Sequence, residues 1–222
     1  MGWSGAMVVV DRIGYSYSQM MQKLATLHPN VVRVVADLGG TARTRDILAA
    51  SVHPRDLYAA RDAGTLLEVS RGVFRLADRP LTEPDLVVVA TRMPRAVLCL
   101  VTALHMHGLT QEIPRAVHVA FPRGVRPGRL DYPPLAVYHF SAASLAEGGQ
   151  ERVVDGVTVR LTSPAKSVAD AFKFRSRVGL ETAIDALKQS LRTGAATPAD
   201  IDRMARVDGV QTVLRPYLEA LT

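Results

Sequence analysis

The chain has 222 residues, 48% of them hydrophobic and 22% charged, with a formal net charge of +6. That length and apolar content suit one large domain or two small ones with packed cores, and they argue against wholesale disorder. A single cysteine, Cys99, excludes an internal disulfide framework and a multi-cysteine zinc site.

In chain order, residues 1–29 read as a helical N-terminal extension. "YSYSQMMQKLATL" spaces Met20, Met21, Leu24 and Leu27 at helical intervals, and His28-Pro29 ends the pattern. "NVVRVVADLGG" follows, with Val31, Val34, Val35 and Leu38 on one face and Gly39-Gly40 as the stop. "TARTRDILAASV" is a second short helix, with Thr41 or Thr44 as N-cap and Ile47, Leu48 and Val52 facing inward. "HPRDLYAARDAG" is a third, with His53 as cap, Pro54 at the first helical position and Gly64 after the last turn. The period then changes. "LLEVS" and "VFRLA" are β-prone, and Arg71-Gly72 supplies the turn between them. Residues 79–84 read as a linker.

The remainder, residues 85–222, reads as mixed α and β. "PRAVLCLVTALHMHGL" looks like one buried helix ending at Gly108. "AVHVAFP", "LAVYHFS" and "GVTVRLT" look like strands, and a Pro/Gly/Arg-rich loop, "RGVRPGRLDYPP", separates the first two. Four helices close the chain. Ser163-Pro164 and Thr197-Pro198 are start signals for two of them. The expected fold class is therefore α+β, an N-terminal winged helix-turn-helix over residues 30–78 plus a C-terminal mixed α/β domain.

Three short helices followed by a hairpin can bury one small core and project the third helix into a DNA major groove. At 100° per residue, Leu57 and Ala60 turn inward on that helix, while Arg55, Tyr58 and Asp62 turn outward. Arg55 suits guanine or phosphate, and Tyr58 suits phosphate or a thymine methyl. Thr44 and Arg45 at the start of the second helix, and Arg71 and Arg75 on the wing, complete the candidate DNA contacts. Small winged-helix units also serve as protein-docking modules; the pattern alone favours DNA binding and leaves docking as the alternative.

Taken with "GGTARTRDILAASVHP", the stretch "LLEVSRGVFRLA" resembles the N-terminal domain of the AbiEi family of antitoxins, with Phe74 in place of a tyrosine. The second half continues the resemblance in order, through "RAVLCLVTALHMHGLTQ", "RAVHVAFPRG" and "VRLTSPAKSVADAF"; Lys166 stands where the family commonly has arginine, and Asp170 matches. The resemblance covers residues 30–190. It implies an antitoxin that binds inverted repeats of operator DNA in its own promoter and counteracts a nucleotidyltransferase-like toxin through the C-terminal domain. Members differ on whether neutralisation needs a direct complex.

The basic excess sits late in the chain. Residues 1–90 carry ten Lys/Arg against nine Asp/Glu, residues 91–222 seventeen against twelve, and all but Lys23, Lys166, Lys173 and Lys188 are arginine. Arg123, Arg126 and Arg129 fall three apart in one loop, readable as a solvated loop, an added polyanion contact or a docking surface for an acidic toxin patch. No HExxH, GxSxG or phosphate-loop motif occurs, so the chain is expected to be no enzyme, with no cofactor, metal or small-molecule substrate. Ser163 and Lys166 have an SxxK spacing, but Ser163 is better read as an N-cap. His118 and His139, in separate strands, can neighbour each other in a sheet. The longest apolar run, Ala96 to Met106, is shorter than the ~20 residues of a membrane span. The N-terminus lacks a signal-peptide pattern, which makes the cytoplasm the expected location. The competing reading is a winged-helix transcription regulator whose C-terminal domain senses a ligand.

Overall fold

A computed structural model describes residues 28–78 and 81–222, so the helical extension expected before Pro29 lies outside the described residues. The chain falls into two compact units. The first runs to Pro84 and takes in Asp155–Val157; the second comprises Asp85–Val154 and Thr158–Thr222.

In the first unit, α1 (Pro29–Asp37) buries Val31, Val34 and Val35. The helix stops before Leu38, which is therefore left largely exposed instead of facing the core. There follow β1 (Thr41–Arg43), α2 (Thr44–Ala49), α3 (Pro54–Asp62), β2 (Leu66–Ser70) and β3 (Val73–Leu76). The strands form an antiparallel sheet in the order β1-β3-β2. Strand β1 corrects the expected cap. Thr41 pairs with Arg75 and Ala42 with Phe74, so this segment is extended, and Arg43 precedes α2 without a side-chain cap bond. Neither Thr41 nor Thr44 caps that helix. Val35, Ile47, Leu57, Ala60, Leu66 and Phe74 pack into one core, each large side chain contributing roughly 1.5–3 kcal/mol.

Helix α4 (Pro84–Arg92) lies in the second unit from its second residue, Asp85, onward. The run read as one helix from Pro94 to Gly108 is instead β4 (Val97–Leu98) followed by α5 (Leu100–Met106). A fully buried strand and a buried helix are both continuous apolar runs, so periodicity does not separate them. Then come β5 (Val117–Pro122), β6 (Leu135–Phe140), α6 (Ala142–Ala146), β7 (Gly149–Val154) and β8 (Val157–Thr162). The sheet order is β6-β5-β4-β8-β7, with β5–β6 and β4–β8 parallel. Its register sets His118 opposite Ala136 and His139 opposite Phe121, so the two histidines are not neighbours.

Five helices close the chain: α7 (Pro164–Lys173), α8 (Arg175–Val178), α9 (Leu180–Thr193), α10 (Pro198–Asp208) and α11 (Gln211–Glu219). Ser163 and Thr197 cap α7 and α10 as expected, accepting from the N–H groups of Lys166 and Asp200. Helix α7 lies at the centre of this layer, where Val168 and Phe172 pack with Leu104, Leu187, Ile201, Met204 and Leu214. The architecture is α+β. No helix among the described residues is long and apolar enough to cross a membrane.

Candidate nucleic-acid interface

Helix α3 starts at a built cap: His53 Nδ1 accepts from the Arg55 N–H at 3.1 Å, and Pro54 fills the first helical position, where no donor is needed. Leu57 and Ala60 are buried, as their spacing requires. Arg55 and Asp56 are exposed on the first turn, and Tyr58, 42% exposed, stands one turn on. The helix therefore offers solvent a guanidinium and a phenol side by side, with Asp62 further along.

Tyr58 is held in place. Its ring meets Phe74 edge-on at 6.2 Å, and the Arg61 guanidinium lies 5.0 Å from its centroid. Arg61 is in turn bound by Asp62, at 2.7 and 2.9 Å, and by Glu68 at 3.7 Å. The hydrogen bond that Arg61 donates to Asp62, with the charge of Glu68 adding to it, raises the Arg61 pKa. Arg61 is a packing cation beside the tyrosine.

The wing is fixed from two sides. Glu68 Oε1 accepts from the Gly72 N–H at 2.8 Å. The Gly72 carbonyl accepts from the Thr44 N–H at 3.0 Å and from Thr44 Oγ1 at 3.3 Å. Gly72 takes φ +71°, the left-handed region open to glycine without a Cβ clash. Arg71, beside it at the tip, is exposed.

These positions sort the expected contacts. Arg55, Tyr58 and Arg71 are at the surface, as is Arg45, whose Nε pairs with Asp46 at 3.2 Å. Thr44 is half-buried and spends its hydroxyl on the wing turn. Arg75 is a correction. It is 3% exposed, and its Nε donates to the Leu76 carbonyl at 3.1 Å. Strand β3 runs between β1 and β2 with all four residues buried, so strand alternation does not turn Arg75 outward. Arg123, Arg126 and Arg129 are exposed in the second unit. Sequence reasoning passed over Glu68, whose only signal is an acidic residue four positions before the turn glycine.

The SxxK pair resolves differently. Ser163 caps α7, and the Lys166 ammonium is fully buried against Asp170 and against both carboxylate oxygens of Asp208, at 2.9 and 2.8 Å. Ser144 donates to Asp208 at 2.7 Å, and Lys173 approaches it at 3.3 Å. Burial drives Asp170 well above the usual carboxylate range, with Lys166 offsetting it only in part. Burial also pushes on Asp208, but Lys166 and the hydrogen bonds from its partners hold it below that range. This is an ion cluster tying α6, α7 and α10 together, with its lysine committed to two carboxylates. Burial raises the Cys99 thiol well above its ordinary pKa, which suits an inert core residue.

No curated protein matches the chain. Among solved structures it is similar to the crystal structure of the RV2827C protein from Mycobacterium tuberculosis, with 13% identity, a TM-score of 0.50, and coverage of 89% of this chain and 81% of that one. At that identity the likeness is one of fold. Residues 31–77, which make up α1 to β3 and the wing, match the family model described as "Transcriptional regulator, AbiEi antitoxin".

Proposed function

We propose that the chain is a DNA-binding antitoxin: it represses its own operon through the winged helix and counteracts a cognate nucleotidyltransferase-like toxin through the second unit. The observation that carries the DNA half is the outward pairing of Arg55 and Tyr58 on α3, in a segment that matches an antitoxin and transcriptional-regulator family. Arg55 reads a base edge or a phosphate, Tyr58 contacts the adjoining backbone, and Arg71 takes a flanking phosphate from the wing. Arg45 is available to phosphate once it leaves Asp46. The protein acts without a cofactor or a chemical step, and inverted repeats in the DNA upstream of its own reading frame are the expected operator.

The test is a footprint and binding titration on that upstream DNA. The wild type protects a discrete site, and Arg55→Ala with Tyr58→Ala removes sequence preference, at about 1–3 kcal/mol per good base contact. An unchanged footprint removes these two residues from the interface. The antitoxin half is tested by co-expression with the adjacent reading frame. Growth rescue supports it and should survive the double substitution, because the two jobs belong to different units; absence of rescue removes it.

A ligand-sensing second unit is the next reading. It draws on a cleft of about 360 Å³ lined by Leu109, Thr110, Glu112, Glu181, Asp185 and Gln189. A regulator of that kind releases the upstream DNA when its ligand binds, and it gives no growth rescue.

A further inference from the structure

We propose that the connection from β5 to β6, residues 123–134, is a docking surface for an acidic patch on a partner protein; this rests on the antitoxin reading, because it supplies that reading's missing contact. Strands β5 and β6 are parallel neighbours, so the chain must return from Pro122 to Leu135, and it does so without a helix. The return is pinned. The Arg123 N–H donates to the Phe140 carbonyl at 2.9 Å, and the Val125 N–H donates to the Pro122 carbonyl at 3.1 Å. A ring N–H of His139 reaches the Val125 carbonyl at 3.1 Å, and the Val117 N–H donates to the Pro134 carbonyl at 2.9 Å. Val125, Pro127 and Leu130 are half-buried and Pro133 is buried, while Arg123, Arg126 and Arg129 between them are exposed. The apolar anchors hold the arginines outward.

The charges on this segment are not settled internally. Arg123 and Arg126 have no carboxylate partner among the described residues, and Arg129 has only Asp131, on the same exposed tip. Four exposed cations on the closing helices instead pair with a carboxylate close by, Lys188 with Asp185, Arg203 with Asp200, Arg206 with Asp202 and Arg215 with Glu219, while Arg192 there bonds Gln189. Beside the arginines stands Tyr132, 66% exposed. Arginine and tyrosine without lysine are the side chains that anchor protein interfaces, and a pinned backbone loses little freedom on docking. Asp131 at the tip opposes a continuous phosphate backbone, whereas it can meet a cation on the rim of a mixed-charge protein surface. Those features favour an acidic protein over nucleic acid.

The experiment uses the full-length chain and the purified product of the adjacent reading frame, with affinity measured by calorimetry. The wild type binds that product. Arg123→Glu with Arg126→Glu weakens binding by about tenfold or more, while thermal stability and affinity for upstream DNA stay unchanged. The milder Arg123→Gln and Arg126→Gln pair gives a smaller loss in the same direction and covers any folding defect of the reversal. Three results overturn the proposal: no binding by the wild type, binding indifferent to both pairs, or a loss of upstream-DNA affinity on charge reversal, which assigns the loop to nucleic acid. Growth rescue that persists without any complex overturns this docking surface and leaves the antitoxin reading standing. Failure of rescue removes the antitoxin reading itself.

Discussion

Single residues carry much of the candidate interface, and Gly72 is the most constrained of them. Its φ of +71° disfavours any side chain, and an added Cβ would sit 3.3 Å from Thr44 Oγ1, a hydroxyl already engaged with Gly72's own carbonyl. Gly72→Ala should cost about 1–2 kcal/mol from the left-handed backbone alone, read as a lowered denaturation midpoint. It should also loosen the wing, and upstream-DNA affinity should fall with it. Lys166 is the corresponding position in the second unit. Replacing it with methionine strands Asp170 and Asp208, and breaking a buried pair from one side costs roughly 3–5 kcal/mol. The pH dependence has a definite sign. Asp170 is raised in the folded state, so the cost of its buried charge is present above its folded pKa and is relieved as pH falls through it. Asp208 is lowered, so its contribution is present above the ordinary carboxylate range and is lost on acidification. In Lys166→Met both contributions shift toward favouring the protonated forms, and the deficit against wild type should be largest near neutrality and shrink in acid. Denaturant titrations across pH check this; a deficit that grows in acid contradicts it.

At the scale of elements, Glu68 joins α3 to the wing, because one carboxylate touches both Arg61 and the Gly72 amide. Glu68→Gln keeps a side-chain acceptor for the amide and removes the charge beside Arg61. Arg61 should then sit less firmly over Tyr58, and specific DNA affinity should drop while affinity for unrelated DNA changes little. In a cycle with Tyr58→Ala the two losses should be less than additive, as expected of groups in one network. Additive losses would mean that the two act independently. These elements also show what the sequence makes legible. Helix α3 and the hairpin can be read because their signals are local: Pro54 begins the helix, Gly64 follows it, and Gly72 marks the turn. Strands β1 and β4 cannot. Each is short and is held extended by partners far along the chain, Val73–Arg75 for β1 and residues of β5 and β8 for β4. The burial of Arg75 is hidden for the same reason, since only the pairing with β1 makes β3 central. The link of Asp208 to Lys166 spans 42 positions and leaves no local signal, whereas Asp170 lies one helical turn away.

For the molecule as a whole, charge is distributed against the simplest expectation of a DNA-binding protein. The winged-helix segment carries acids close to its cations, with Asp46 on Arg45, Asp56 beside Arg55, and Asp62 and Glu68 on Arg61. Arg45, Arg55 and Arg71 are the exposed arginines that the proposed interface gives to phosphate. At ~0.9 per neutralised phosphate, affinity for upstream DNA should fall with salt at a log–log slope of no more than ~3 per winged helix. A much steeper slope would require cations from the second unit, and charge reversal at Arg123 and Arg126 would then flatten it. On the proposed DNA-binding reading, shape and hydrogen bonding at Arg55 and Tyr58, more than bulk attraction, supply the preference for one site.

The strand order β1-β3-β2 has a consequence for how the protein is made. The central strand of the wing sheet is the last of the three to be synthesised. Until Val73–Leu76 has left the ribosome, β1 and β2 have no partner, and Phe74 is missing from the core that Val35, Ile47 and Leu57 share. The wing sheet therefore cannot close until the same residues that build its wing have been made. A nascent chain halted at Ser70 would expose two unpaired strands and an open apolar face, and would be a natural target for a chaperone.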